Sequence, residues 1–217
     1  MFREVEQLEF KLYVITDERY HPGCSMLDVV EAALMGGADV VQLRDKRATK
    51  KELYQKAVEL RQLTARYGKL FIVNDHPDIA LAVDADGVHL GQDDLPLAAA
   101  RRIMGNRIIG ISTHSLEQAR RAEAEGADYI GVGPVFATQT KENATPVTVE
   151  LVRQVAGTIR IPFVAIGGIK LHNVDQLLEA GARRICAVSE IVGSVDVKGT
   201  CEAFLRKIAA HEQGGTE

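Results

Sequence analysis

One piece of punctuation recurs along the chain: Gly37-Ala38-Asp39, Gly126-Ala127-Asp128 and Gly181-Ala182-Arg183. Each stands between an amphipathic segment and a short β-branched run. A glycine just past a helix accepts the left-handed conformation that closes the last turn, so each marks a helix-to-strand joint. With these joints as anchors, strands are expected at Leu12–Thr16, Val40–Arg44, Leu70–Asn74, Gly87–Leu90, Arg107–Ser112, Tyr129–Val132, Phe163–Ile166 and Arg184–Val188. Helices fit between and after them, at Met26–Met35, Lys50–Tyr67, Pro77–Val83, Pro96–Met104, Leu116–Glu125, Thr148–Val155, Val174–Glu179 and Thr200–Ala209. Strands alternating with helices predict βαβ units and a parallel sheet. Eight units in about 200 residues match the compact end of the α/β class closed as a (β/α)8 TIM barrel. A doubly wound sheet is the alternative, but a G-x-G-x-x-G after the first strand and a Walker motif are both missing.

Composition agrees with one domain over residues 1–217, with its core from about 11 to 210 and a disordered tail at about 213–217. The 217 residues are 46% hydrophobic and 26% charged, enough to bury a large core. A formal charge of −4 without a basic run argues against a nucleic-acid partner. Cys24, Cys186 and Cys201 form no CxxC pair, so free thiols and a reducing compartment are expected, without structural zinc. No apolar run reaches the length of a membrane span and the first residues lack an apolar signal region, so a cytoplasmic protein with small-molecule partners is expected. Homo-oligomerisation is left open.

In a barrel of this kind the active site lies at the C-terminal ends of the strands. Polar residues gather there. Gln42, Arg44 and Lys46 share one parity of the second strand, which aims an amide, a guanidinium fork and an ammonium at one place. That set suits an anion with several oxygens, a phosphate or diphosphate, although Arg44 and Lys46 also have the option of pairing with acidic neighbours at the rim. Asn74 and Asp75 end the third strand, Gly91-Gln92-Asp93-Asp94 follows the fourth, and Ser112-Thr113-His114 ends the fifth. Neighbouring strands lie about 4.8 Å apart, so Asp75 and a carboxylate after strand four can converge on one divalent cation, magnesium being the usual choice for carboxylates plus phosphate oxygens. Asp93 and Asp94 compete for that role. The alternative is helix capping, by Asp75 before Pro77 and by Asp93 or Asp94 before Pro96. Ile166-Gly167-Gly168-Ile169 and Val188-Ser189 suggest a second anion site, since loops after strands seven and eight often present backbone N–H groups to a phosphate; Gly167 and Gly168 also suit a tight turn. Two anion sites across one mouth point to two phosphorylated substrates.

His89 lies within a strand and reads as a hydrogen-bonded core residue rather than a base, while His76 and His114 sit near the mouth. No Ser/His/Asp or Cys/His set can be assembled.

Five ordered motifs are Gln42-Leu43-Arg44-Asp45-Lys46, Val73-Asn74-Asp75, Gly87-Val88-His89-Leu90-Gly91-Gln92-Asp93-Asp94, the run Gly131 to Lys141, and Ala165-Ile166-Gly167-Gly168-Ile169. Together they resemble the thiamine phosphate synthase family from about Leu12 to about Val192. The resemblance implies a transferase of thiamine biosynthesis on a (β/α)8 barrel. It would join a hydroxymethylpyrimidine diphosphate to a thiazole phosphate with the help of Mg2+, releasing diphosphate. It implies that Gln42, Leu43, Arg44, Asp45, Lys46, Asn74, Ser112 and Lys141 hold the pyrimidine diphosphate, with Arg44, Lys46, Ser112 and Lys141 in catalytic roles. Asp75 and Asp94 would bind the metal, and Thr138, Gln139, Thr140, Gly168, Val188 and Ser189 would hold the thiazole phosphate. The expected chemistry is a dissociative substitution with no protein nucleophile. The segment Glu142 to Thr148 lacks the glycine often found shortly after its proline. The rival readings are a thiazole tautomerase, a sensor without turnover and a phosphosugar isomerase.

Overall fold

The computed structural model describes residues 8–21, 23–138 and 146–214. Its strands are β1 Leu12–Ile15, β2 Val40–Leu43, β3 Leu70–Asn74, β4 Gly87–Leu90, β5 Ile108–Thr113, β6 Tyr129–Val132, β7 Phe163–Ile166 and β8 Ile185–Cys186. They pair in chain order, all parallel, and β8 returns to β1 to close the barrel. The helices are α1 Met26–Met35, α2 Lys50–Arg66, α3 Pro77–Ala82, α4 Leu97–Met104, α5 Leu116–Ala124, α6 Thr148–Thr158, α7 Val174–Glu179, α8 Val188–Val192 and α9 Val197–Gly214. Local chemistry fixes several of their starts. Ser25 caps α1, Ser115 caps α5, and Thr49 with Glu52 forms a reciprocal capping box on α2.

The glycines at the three joints, Gly37, Gly126 and Gly181, all have φ between 89° and 98°. The aspartates beside them have a second use. Asp39, just before β2, accepts the N–H groups of Lys11 and Leu12 at the start of β1, and is also paired with Lys69 at 2.7 Å. Asp86 repeats this for Phe71 with Arg61, and Asp128 for Ile109 with Arg101. An even-numbered strand thus holds the first residues of the odd-numbered strand before it, at the end of the barrel away from the mouth. The ion pairs leave most of each carboxylate buried, where a charge-assisted bond counts for more than on an open surface.

The strand interior faces are filled rather than hollow. Phe10 packs edge-on against both Tyr13 and Tyr129 within the barrel, and the two tyrosine rings are tilted against each other, with ring centroids 5.9 to 6.0 Å apart. The opposite faces, with Val41 and Leu43 fully buried, pack beneath the helices.

Two expectations need correction. The eighth strand ends at Cys186, and Val188 opens the short helix α8. A β-branched residue in a buried run satisfies either conformation, so the run alone does not separate them. At the other end, Gln213 and Gly214 belong to α9, which also starts earlier than expected, at Val197. Residues 215–217 lie outside the described residues. Cys24 is exposed, Cys186 and Cys201 are buried, and all three are free. No helix among the described residues is long and apolar enough to cross a membrane.

Candidate active site

The mouth of the barrel, at the C-terminal strand ends, holds a cavity of about 1010 Å³. Gln42, Arg44, Lys46, Asn74, Asp75, Asp94, Ser112, Thr138, Gly168, Val188 and Ser189 all line it. Register explains the gathering. Gln42 pairs with Ile15, Leu43 with Val73, Asn74 with His89 and Ser112 with Gly131, so the residues just beyond each partner arrive at one level.

The parity of β2 divides its five-residue motif. Gln42, Arg44 and Lys46 face the cavity; Leu43 is fully buried on the other side. Asp45 turns to Lys56 at 2.7 Å and accepts the N–H groups of Arg47 and Ala48, so it anchors the loop rather than lining the cavity. Burial pushes the Asp45 carboxyl up, but Lys56 and the two backbone donors outweigh it and hold it below the ordinary carboxylate value. Arg44 is fixed through its backbone N–H, which donates to Thr16 Oγ1 at 3.0 Å, and its guanidinium has no ion pair among the described residues.

Lys46 meets Asp75 at 3.2 Å, and beyond it stands Asp94. Burial, then the hydrogen-bonded and charged Asp94 beside it, push the Asp75 carboxyl up, against the pull of Lys46. Two carboxylates facing one another in a half-buried mouth repel, and either a proton shared between them or a cation relieves that repulsion. Asp75 is held in the left-handed region, φ 62°, and its N–H donates to His89 O at 2.9 Å. Asp94 is oriented by the Gly91 N–H, which donates to Oδ2 at 2.7 Å. Helix capping is not the use made of these groups: neither α3 nor α4 takes a side-chain cap. Asp93 also lines the cavity.

Across the mouth, Gly167 and Gly168 have φ of 99° and 64°, and added Cβ atoms would lie 2.3 Å from Pro134 and 2.5 Å from the Ala137 carbonyl. Their smallness therefore lets the loops after β6 and β7 touch, in addition to opening the cavity wall. Ser189 sits in the first turn of α8, with the Lys170 ammonium 3.2 Å from its hydroxyl. Lys170 also pairs with Glu190 at 2.9 Å. Sequence reasoning did not single out Lys170, although it stands only two residues beyond Gly168. Gln139, Thr140 and Lys141 lie outside the described residues. His89, as expected, is 9% exposed and hydrogen-bonded, to Tyr129 and Ser112.

A family model described as thiamine monophosphate synthase matches residues 12–191. The chain belongs to the thiamine monophosphate synthase family. Among its relatives, a thiamine-phosphate synthase of Halalkalibacterium halodurans is 61% identical, with 90% of this chain and 94% of the relative covered. One of Shouchella clausii is 55% identical over 90% of this chain and 95% of that protein. A solved thiamine phosphate pyrophosphorylase from Pyrococcus furiosus superposes with a TM-score of 0.87 at 43% identity, over 93% of this chain and 96% of that one. Each of the five ordered motifs thus contributes described residues to the cavity wall, and the closed barrel is the fold of a solved relative.

Proposed function

We propose that this chain is a thiamine-phosphate synthase. It joins 4-amino-2-methyl-5-hydroxymethylpyrimidine diphosphate to 4-methyl-5-(2-phosphoethyl)thiazole, or its carboxylate, giving thiamine monophosphate and diphosphate. The observation that carries this reading is the pair Asp75 and Asp94, facing each other beside Lys46, Arg44 and Asn74 in one cavity. Such a set suits a diphosphate with its counter-ion, and a phosphosugar isomerase has no need of it.

The donor set fits Mg2+. No group of three or more His, Cys, Asp or Glu side chains gathers among the described residues, so a cation held by Asp75 and Asp94 leaves further positions for water and diphosphate oxygens, as this metal prefers. When bound, Mg2+ neutralises charge that collects on the departing diphosphate. Arg44 and Lys46 add fixed positive charge around the same oxygens, and Lys141 is assigned the same task. Gln42, Leu43 and Asp45 complete the β2 motif assigned to this substrate, the last two by holding the strand end in place. Ser112 contacts the pyrimidine. Its aminopyrimidine ring delocalises the positive charge left on the methylene carbon, and the thiazole nitrogen then captures that carbon, so the protein supplies no nucleophile. Thr138, Gln139, Thr140, Gly168, Val188 and Ser189 hold the thiazole phosphate, with the Ser189 hydroxyl oriented by the Lys170 ammonium. The protein works in the cytoplasm.

Mixing both substrates with Mg2+ and following diphosphate and thiamine monophosphate tests the reading. Stoichiometric appearance of both is expected. A tautomerase would interconvert the thiazole phosphate without releasing diphosphate, and a sensor would bind without product; either result would replace this reading.

A further inference from the structure

Below the cavity a single file of hydrogen bonds crosses the barrel interior. The Gln42 amide donates from Nε2 to the Tyr13 hydroxyl at 2.8 Å, and the Tyr13 and Tyr129 hydroxyls are 2.8 Å apart. Tyr129 meets His89 Nδ1 at 2.8 Å, and His89 Nε2 meets Ser112 Oγ at 2.9 Å. The file therefore begins and ends on residues of the cavity wall, and its middle members are buried. Space has been cleared for it. A Cβ on Gly110 of β5 would lie 2.1 Å from the Tyr129 ring, whereas one on Gly131 of β6 would make only ordinary contact with the His89 ring, at 3.4 Å. Burial pushes the Tyr13 and Tyr129 phenols upward, so both keep their protons at neutral pH.

Each phenol has one hydrogen to give, which sets a direction. An amide N–H on the Tyr13 oxygen sends the Tyr13 hydrogen to Tyr129, and the Tyr129 hydrogen to His89 Nδ1. An accepting Nδ1 leaves the imidazole proton on Nε2, where it donates to Ser112. We propose, on the reading that Ser112 touches the pyrimidine, that Tyr13 and Tyr129 are positioning residues whose relay fixes His89 as the Nε2–H tautomer and commits the Ser112 hydroxyl to donating into the cavity. The cavity then selects a pyrimidine that offers a ring nitrogen lone pair at that point, and it disfavours one that presents a ring N–H. Turning the Gln42 amide over reverses every bond in the file and leaves Ser112 able only to accept.

Long-range proton–nitrogen NMR of the full chain with 15N-labelled histidine reads the tautomer, the His89 signals being those lost in His89→Asn. The neutral Nε2–H form is expected in the wild type, and a mixture with Nδ1–H in Tyr129→Phe. In the same variant the KM for the pyrimidine diphosphate should rise roughly five- to tenfold, the loss of about one oriented hydrogen bond, while the KM for the thiazole phosphate stays within about twofold. A wild-type Nδ1–H tautomer overturns the proposal whether or not the variant folds. So does a variant with tautomer and pyrimidine KM unchanged, or one in which both KM values rise together, which is what general loosening would give. Should the wild type release no diphosphate, the assigned reaction fails, and the proposed role of Ser112 fails with it; the tautomer then reports on the hydrogen-bond direction alone.

Discussion

Asp75 concentrates the chemistry of the mouth in one side chain. A non-glycine residue at φ 62° carries strain on the order of 1 kcal/mol or more, here held by the N–H bond to His89 and by Lys46. Asp75→Ala removes the charge facing Asp94 without opening the core. Steady-state turnover should fall by orders of magnitude, with far-UV circular dichroism and melting close to wild type; turnover near wild type would remove the metal site from the account. Gln42 of β2, with Arg44 and Lys46 just beyond its end, was legible beforehand because side-chain direction along an extended run has a period of two, which needs no partner to be read. The relay was not. Tyr13 and Tyr129 are 116 residues apart, and nothing local to either marks it as bonded to the other.

Single elements show where packing, rather than propensity, decides. In β5, Gly110 has no positive φ to justify it, but it lies against the Tyr129 ring. Gly110→Ala should therefore destabilise the protein by about 1 to 3 kcal/mol through overpacking, measured by urea unfolding, and an unchanged midpoint would mean that the ring has room to move. The loop from β2 to α2 offers a pH test. Asp45 sits below its ordinary value, so its anchor contributes stability above the unfolded carboxylate pKa and loses it as pH falls through the folded one. Asp45→Asn should be less stable than wild type by about 1 kcal/mol at neutral pH, and unfolding curves taken toward pH ~3 should converge. A gap that stays constant into acid would show that charge is not the cause. Strand and helix order could be read from glycine punctuation and β-branched runs, since these are local signals. The end of β8 could not, because Ala187-Val188-Ser189 suits a buried strand and a buried helix equally and closure onto β1 decides where pairing stops.

The whole barrel separates stability from chemistry along its axis. Asp39, Asp86 and Asp128 tie neighbouring strands at one end, while the cavity occupies the other. Asp128→Ala leaves Ile109 N–H and Arg101 without that carboxylate. It should lower stability by about 2 kcal/mol and the melting temperature by about 4 to 8 °C, with kcat and both KM values unchanged. A parallel loss of turnover at a temperature where the variant is folded would mean that the two ends are coupled. The central claim concerns the other end, where a divalent cation and a diphosphate share the mouth. Its most direct test is anomalous diffraction from crystals soaked with Mn2+, which takes the same oxygen ligands as Mg2+, together with the pyrimidine diphosphate. The account predicts one peak between the carboxylates of Asp75 and Asp94, in contact with diphosphate oxygens. Bound pyrimidine diphosphate with no metal at that position would contradict it.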